Sequence, residues 1–327
     1  MSVPIPKDAD GRIARACPND DCSPGYFKIK PGTGLTGQTE AFCPYCRESA
    51  KPNGFTTKEQ QRYAKDHLVR EATDGVNRMF KEALGLGHSN RRTLGSGGLI
   101  SMEISYKPGT PRPVRRPMED QVRRDVICPH CTLEHSVYGL ATWCADCGVD
   151  IFLTHVDAEL AVVAAMLADV ERRRSLLGER VAAKDLENCL EDIVSIFEAV
   201  MKIMVRRVMQ KRGVASDEIE TALRKAGNCF QGIGRTVEFL RTQLDLPDLP
   251  GVTAEEREAL RDIFEKRHPI THNLGVVDRK YLDNAAGAVQ EGREVSVTPK
   301  EISLAMTICK TAFQAMVANL SLEFQKI

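Results

Sequence analysis

Eight of the eleven cysteines stand in close pairs whose spacing suits a metal ion. The first set is Cys17, Cys22, Cys43 and Cys46, and the second is Cys128, Cys131, Cys144 and Cys147. Two thiolates separated by two residues can reach the same tetrahedral ion, and a second such pair completes a closed four-sulfur site. Because a closed site leaves no position for water, the spacing predicts two Zn²⁺ ions with a structural role.

The second set carries the stronger signal, since both of its pairs have the two-residue gap. Cys17 and Cys22 are separated by four residues and flank Asn19, Asp20 and Asp21. Free structural cysteines are the alternative for both sets. Disulfides are not expected, because reducing compartments keep thiols free. The other cysteines lie in helical patterns and are interpreted as buried apolar side chains: Cys189, Cys229 and Cys309.

A second group of reactive side chains lies late in the chain, between Glu265 and Gly275. It contains Arg267, His268 and His272. Pro269 disfavours a helical conformation in the residue before it, so we predict that a helix ends or kinks at His268. Taken alone, such side chains beside a helix break would most often be caps and surface hydrogen bonds. If the chain catalyses a reaction, this is where we expect it.

Composition limits the class of protein. The chain has 327 residues, enough for two or three domains, and 45 basic against 45 acidic side chains, so overall charge indicates no polyanionic partner. Its first residues contain no apolar run typical of a secretory signal. The longest uninterrupted apolar run, Leu160 to Ala168, is too short to span a bilayer. We therefore expect a cytoplasmic protein without a membrane partner.

One segment, residues 85–117, departs from this balance with six basic side chains and a single acid, Glu103. Its arginines could follow a phosphate backbone, although a solvated basic linker is an equal alternative. Tyr106 is its only aromatic residue, so base-specific recognition is not expected. The candidate nucleic-acid contacts are Arg91, Arg92, Arg112, Arg115 and Arg116.

The elements that must position these residues divide the chain into four segments. We predict a small β zinc ribbon around each cysteine set, in residues 1–56 and 121–156. Between them, in residues 57–120, the pattern predicts a helix opened by Thr57 and then a basic linker rich in glycine and proline. The linker contains a possible strand at 99–106, and residues 85–98 are interpreted as a loop. Apolar spacing gives the helix a buried face that includes Val76, Met79 and Phe80.

From residue 157 to 327 the apolar residues recur with helical period. The clearest series runs from Leu186 to Val208, and another follows the N-terminal signal Thr298-Pro299-Lys300-Glu301. Since these apolar faces must cover one another, they predict an antiparallel helical bundle. The predicted fold class is therefore mainly α, with small β ribbons before the bundle.

Within that bundle, the sequence around Arg267 resembles the HEPN family. Members of this family are helical bundles with an arginine, a polar residue directly after it and a histidine four to six residues later. Arg267, His268 and His272 match these three places in order. Asn273, Gly275 and the stretch 276–281 also resemble the continuation after the histidine. The resemblance covers roughly residues 157–327.

This resemblance implies metal-independent cleavage of RNA, in bacterial defence or a toxin-like role. His272 would be the acid–base group, Arg267 would bind the scissile phosphate, and His268 would orient or share the proton load. In the family these groups usually meet across a two-fold dimer, so a homodimer is implied. The leading hypothesis adds that the ribbons present RNA or a partner protein to the helical domain.

Two other functions remain open from the sequence. The chain could be a non-catalytic adaptor whose ribbons bind nucleic acid or protein while the helical domain dimerises. It could also be a metal-dependent hydrolase, which is less favoured because no carboxylate–histidine set has the spacing of an open metal site.

Overall fold

The computed structural model describes residues 3–86, 90–94, 102–109, 113–122, 124–246, 248–283 and 290–322. The chain divides into two compact units. The first consists of Met1–Tyr138 with Trp143–Asp150, and the second of Gly139–Thr142 with Ile151–Ile327. Both cysteine sets belong to the first unit, and Arg267, His268 and His272 belong to the second.

Short antiparallel strands and one long helix, α1 (Lys58–Ala83), form the regular structure described in the first unit. The strands are β1 (Ile13–Ala16), β2 (Tyr26–Ile29), β3 (Ala41–Phe42), β4 (Ser49–Ala50), β5 (Arg91–Leu94), β6 (Met102–Ser105), β7 (Arg124–Ile127) and β8 (Glu134–Val137). Strands β3 and β4 form one two-stranded sheet, β5 and β6 form another, and the remaining four strands join in one sheet.

The largest sheet has the strand order β1-β2-β8-β7 and combines both cysteine segments. Its central pairing sets Phe27 of β2 opposite Val137 of β8, and both side chains are buried. An isolated two-stranded hairpin is only marginally stable, whereas four strands can bury a common apolar face. The structure therefore joins in one sheet what the sequence treats as two separate ribbons, 1–56 and 121–156.

The end of the predicted linker is also attached to this sheet. Lys28 on β2 is buried, and its ammonium lies 2.9 Å from Asp8 and 3.4 Å from Glu119. A buried ammonium requires such partners, because an unpaired charge away from water is costly. Glu119 thus ties residues near the end of the 57–120 segment to β2.

Helix α1 begins as the sequence predicts but exposes the face that was expected to be buried. Thr57 and Gln60 form a capping box, and the buried Gln60 side chain donates to the carbonyl of Ala14 at 2.9 Å. Further along the helix, the exposed fractions are 47% for Val76, 67% for Met79 and 52% for Phe80. The prediction of a buried face was wrong: among the described residues of α1, Gln60 alone is buried.

The described part of the strand predicted at 99–106 corresponds to β6, and residues 99–101 lie outside the described residues. Its partner β5 lies in residues that the sequence assigned to a loop, so the loop assignment of 85–98 was wrong at 91–94. The ring of Tyr106, just after β6, stacks on Phe80 with centroids 5.9 Å apart. The tyrosine hydroxyl also donates to Asn77 at 2.5 Å, which ties the β5–β6 hairpin to α1.

The second unit is helical. Its helices are α2 (Phe152–Leu177), α3 (Glu179–Lys211), α4 (Ser216–Ala226), α5 (Ile233–Leu244), α6 (Ala254–Glu265), α7 (Arg267–His272), α8 (Arg279–Leu282) and α9 (Pro299–Leu322). The first of them begins at Phe152, before the predicted boundary at 157, because this side chain is buried in the helical core beneath the guanidinium of Arg207. Ile151 belongs to this unit as well.

Helix α3 forms the centre of the second unit. Every member of its predicted apolar series is buried, and α2, α5, α7 and α9 all pack against it. The ring of Phe197 lies 5.3 Å from that of Phe264 on α6 and 5.9 Å from that of Phe313 on α9. Since the burial of an aromatic side chain contributes several kcal/mol, this cluster holds α6 and α9 on α3. The chain is thus mainly helical, with small antiparallel sheets in its N-terminal part.

Candidate functional site: a short helix with two histidines, and two four-cysteine clusters

The structure brings each predicted cysteine set together. Within each set, the four sulfur atoms lie within 4.8 Å of one another. Sulfur–sulfur separations of 3.4 to 3.7 Å join the following pairs: Cys17–Cys46, Cys22–Cys43, Cys128–Cys147 and Cys131–Cys144. All eight thiols are free rather than joined in disulfides.

These separations fit a tetrahedral metal site. Four sulfurs at about 2.3 Å from a central Zn²⁺ ion would stand about 3.8 Å apart. Burial also raises the pKa of the Cys17, Cys131 and Cys144 thiols, so binding a cation there would release protons. Each set could therefore hold one metal ion and, with all four positions taken by sulfur, would leave none for a substrate.

The two clusters are connected by hydrogen bonds between their loops. The amide of Trp143 donates to the carbonyl of Pro44 at 3.1 Å, and the amide of Phe42 donates to the carbonyl of Ala145 at 2.8 Å. The guanidinium of Arg47 lies 4.4 Å from the centre of the Trp143 ring. Trp143 therefore covers the loop of the other cluster, in a cation–π contact, instead of offering a bare stacking surface.

Asp146 adds a third connection between the clusters. This buried carboxylate accepts hydrogen bonds from the Leu35 amide at 3.1 Å and from the Gln38 side chain at 3.0 Å. Burial raises the pKa of Asp146, while these hydrogen bonds and the charge of Arg15 act in the opposite direction. The loop 33–38 of the first segment is therefore held by the second cluster.

The histidine-bearing stretch forms its own short helix, α7, directly after α6. Helix α6 ends at Glu265, and α7 begins at Arg267 with Pro269 in its first turn. The first turn of a helix is the one place where a missing proline N–H costs nothing, so His268 is helical after all. The break occurs at Lys266, earlier than predicted. Its ammonium donates to the Ser296 carbonyl and to Glu301, which fastens this corner to the start of α9.

His268 and His272 lie one helical turn apart and share a face. Their ring centroids are 5.1 Å apart, and His272 is exposed while His268 is half-buried. The Nε2 atom of His268 lies 3.4 Å from the carboxylate of Asp278. Asp278 also caps α8 by accepting from the Tyr281 amide, and this hydrogen bond, with the nearby His268, lowers the pKa of Asp278. The imidazole of His268 and the cap of α8 therefore share one carboxylate.

Arg267 is directed elsewhere. Five residues along an α-helix correspond to a rotation of about 140°, so Arg267 and His272 leave α7 in different directions. The guanidinium of Arg267 donates to the side-chain oxygen of Gln231 at 3.0 Å. Gln231 in turn donates to Glu198 on α3 at 2.9 Å. Of the three motif residues, the structure thus brings together His268 and His272, whereas Arg267 is held apart from them by its hydrogen bond to Gln231.

A hydrogen bond to α3 fixes the exposed end of α7. The Thr271 hydroxyl donates to the Glu191 carboxylate at 3.1 Å. Leu274, just after His272, adopts a left-handed conformation and is 84% exposed. The adjacent Gly275 amide returns to the carbonyl of Pro269 at 2.8 Å and closes the helix end. His272 is therefore presented to solvent on a turn that is fixed at both sides.

Sequence reasoning missed Asp278, Gln231 and Glu198. Asp278 had a recognisable signal, because an aspartate before a short helical stretch is a preferred N-cap. Gln231 and Glu198 had none, since they are 36 and 69 residues from Arg267 and meet it only through folding.

The predicted basic contacts are scattered over the first unit. Arg91 and Arg92 lie on β5, and Arg91 is 3.6 Å from Glu103 on β6. Arg115 lines a shallow pocket with Arg62 and Lys65 of α1, whereas Arg116 is exposed in irregular chain. Arg112 lies outside the described residues. The described part of the segment places no more than small groups of arginines together.

A groove in the second unit lies between α4 and α5, is not lined by the histidines, and has a volume of about 660 Å³. Its charged lining consists of Asp217, Glu218, Lys225, Arg235 and Glu238. Since acidic and basic groups are mixed there, its charge does not favour a phosphate chain.

Comparison with known proteins finds no match among family models, curated proteins or solved structures. None of the described helices is long and apolar enough to cross a membrane.

Proposed function

We propose that the chain is a metal-independent endoribonuclease of the HEPN type, acting in bacterial defence or as a toxin. Its two cysteine clusters would hold structural Zn²⁺ ions, and the first unit would recognise RNA or a partner protein. The observation that carries the proposal is the pair His268 and His272 on one face of α7, with Asp278 beside His268 and Arg267 on the same helix. Two imidazoles and a guanidinium are the groups that RNA cleavage needs.

In the proposed reaction, neutral His272 takes the proton from a ribose 2′-hydroxyl. The 2′-oxygen attacks the adjacent phosphorus, and Arg267 stabilises the negative charge that grows on the phosphate oxygens. The bond from phosphorus to the 5′-oxygen then breaks, and that oxygen takes a proton from the imidazolium of His268, which Asp278 stabilises. The products are a 2′,3′-cyclic phosphate and a 5′-hydroxyl.

The proposal includes a two-fold homodimer. Arg267 and His272 leave α7 about 140° apart, so one phosphate is difficult to reach with both side chains of the same chain. A second copy related by two-fold symmetry would offer its own set of the same groups to a shared cleft. This requirement supports a dimer as the active species.

The test compares RNA cleavage by the wild type and by His272→Ala, without added metal and with a chelator. We expect the wild type to produce 2′,3′-cyclic phosphate ends and His272→Ala to be at least about a hundredfold slower. His67→Ala is a matched control, since His67 is a half-buried histidine on α1 and should leave cleavage unchanged. Circular dichroism must show that the chelator has not unfolded the first unit.

Equal cleavage by the wild type and His272→Ala would refute the assignment. Absence of cleavage in both would refute the nuclease and favour the non-catalytic adaptor. Cleavage that disappears in chelator while the fold persists would instead favour a metal-dependent hydrolase.

A further inference from the structure

Gln231 bridges Arg267 and the central helix α3. It ends a short turn, Cys229–Gln231, between α4 and α5. Its side-chain nitrogen donates to Glu198 at 2.9 Å, and its side-chain oxygen accepts from Arg267 at 3.0 Å. Glu198 also accepts from Lys202 at 2.6 Å. The guanidinium is therefore the end of a chain of hydrogen bonds that begins on α3.

The orientation of this amide follows from its neighbours. A carboxylate can only accept hydrogen bonds and a guanidinium can only donate them. The Gln231 nitrogen must therefore face Glu198, and its oxygen must face Arg267. Burial acts to raise the pKa of Glu198, but the bonds from Lys202 and Gln231, with the charges of Lys202 and Arg267, bring it below the usual value. Glu198 thus remains the charged acceptor that fixes the amide.

The turn that carries Gln231 is itself fixed in the core. The side chain of the preceding Phe230 is fully buried, and its ring meets that of Phe239 edge to face, with centroids 5.1 Å apart. The Gln231 amide donates to the Asn228 carbonyl at 3.1 Å. The amide side chain therefore extends from a rigid base.

We propose that Gln231 is a positioning residue that aims the Arg267 guanidinium at the scissile phosphate, an inference that rests on the proposed nuclease function. A neutral acceptor holds a guanidinium without neutralising it, whereas a carboxylate in its place would compete with the phosphate as a bidentate partner. Arg267 has five N–H donors, and Gln231 engages one nitrogen. The guanidinium keeps its charge, and its other N–H groups can donate to the substrate.

The test uses Gln231→Leu, which preserves the size of the side chain but cannot accept a hydrogen bond. We expect kcat to fall about tenfold to a hundredfold, because a misplaced catalytic group loses rate of this order. KM should change by less than about threefold, since the remaining contacts bind RNA as before. Gln210→Leu, on the exposed end of α3, is the matched control and should behave as the wild type.

Two further variants separate positioning from a merely structural role. Gln231→Asn keeps the amide but is one methylene shorter, so it cannot span Glu198 and Arg267 and should lose activity while the fold is retained. Gln231→Glu keeps an acceptor beside Arg267 but adds charge, and it should also lose activity. If either variant or Gln231→Leu is folded and has a kcat within about twofold of the wild type, the inference is overturned.

A second measurement does not depend on cleavage. The Nε–Hε signal of Arg267 in an NMR spectrum, identified by its loss in Arg267→Lys, should be distinct in the wild type and averaged with exposed arginines in Gln231→Leu. An averaged Arg267 signal in the wild type, or an unchanged one in Gln231→Leu, overturns the inference. If the wild type does not cleave RNA, the proposed function fails, and this spectrum alone decides whether Gln231 holds Arg267.

Discussion

The two cysteine clusters should gain and lose their metal together. Their loops share two backbone hydrogen bonds, the Arg47–Trp143 contact and the links made by Asp146. Both also depend on the sheet in which β2 pairs with β8. We therefore predict that Cys144→Ser, which removes one ligand of the second cluster, also disrupts the first.

The expected loss of stability follows from comparing the free energy of one zinc site with that of a whole domain. A structural Zn²⁺ site contributes an apparent 10–16 kcal/mol, roughly, at neutral pH, and a domain as a whole is stable by only about 5–15 kcal/mol. Loss of one site is therefore comparable to the whole stability of the first unit. Because the clusters share a sheet, that loss cannot be confined to residues near Cys144.

The assay measures zinc per chain by mass spectrometry after a chelator wash, together with hydrogen exchange of the strand amides. The wild type should hold two ions, and Cys144→Ser should hold fewer than one and lose protection in β1 and β2. Cys22→Ser, in the first cluster, should have the reciprocal effect on β7 and β8. Cys229→Ser, outside both clusters, is the control and should keep two ions.

One result would refute this reasoning: Cys144→Ser that retains one ion and full protection in β1 and β2. The clusters would then be independent modules, as the sequence division suggests. A wild type that binds no metal would refute the metal assignment itself.

Two further predictions concern the free energy of unfolding. Gly34→Ala should lower it by about 1–3 kcal/mol more than Gly37→Ala: both glycines have positive φ, but a Cβ at Gly34 would lie 2.1 Å from the Asp146 carboxylate, whereas nothing lies within 4 Å at Gly37. Equal losses for the two variants, in denaturant unfolding followed by tryptophan fluorescence, would contradict this. Glu301→Gln should cost about 1–2 kcal/mol at pH 7, because Lys266 bonds to the charged carboxylate. Burial acts to raise the pKa of Glu301, but Lys266 and the cap at the start of α9 bring it below its unfolded value. The stability that the charged carboxylate contributes is therefore full above about pH 4.3 and disappears as the pH falls through the folded pKa. If Glu301→Gln lowers the free energy of unfolding, followed by circular dichroism, equally at pH 7 and pH 3, the prediction is wrong.

Local spacing was sufficient for the elements that depend on near neighbours. The cysteine pairs predicted both tetrads, and the apolar period of α3 predicted its buried face from Leu186 to Val208. The capping signals at Thr57 and Thr298 predicted where α1 and α9 begin. Such features follow from the geometry of the helix and of the metal knuckle, which act over a few residues.

The sequence alone also identified Arg267, His268 and His272 as the candidate reactive side chains of α7. Tertiary structure decided which of them meet. Asp278 contacts His268 across the turn closed by Gly275, and Gln231 connects Arg267 to Glu198 on α3. These pairings depend on how distant segments pack, and no spacing along the chain encodes them.

The same distinction explains the errors in the N-terminal part. An apolar period predicted a buried face on α1, but burial needs a partner, and the described chain covers little beyond the first turn of that helix. The two cysteine segments looked separate because about eighty residues divide Cys46 from Cys128. The hydrogen-bonding edges of β2 and β8 joined them, since unpaired strand edges favour pairing whatever the distance along the chain.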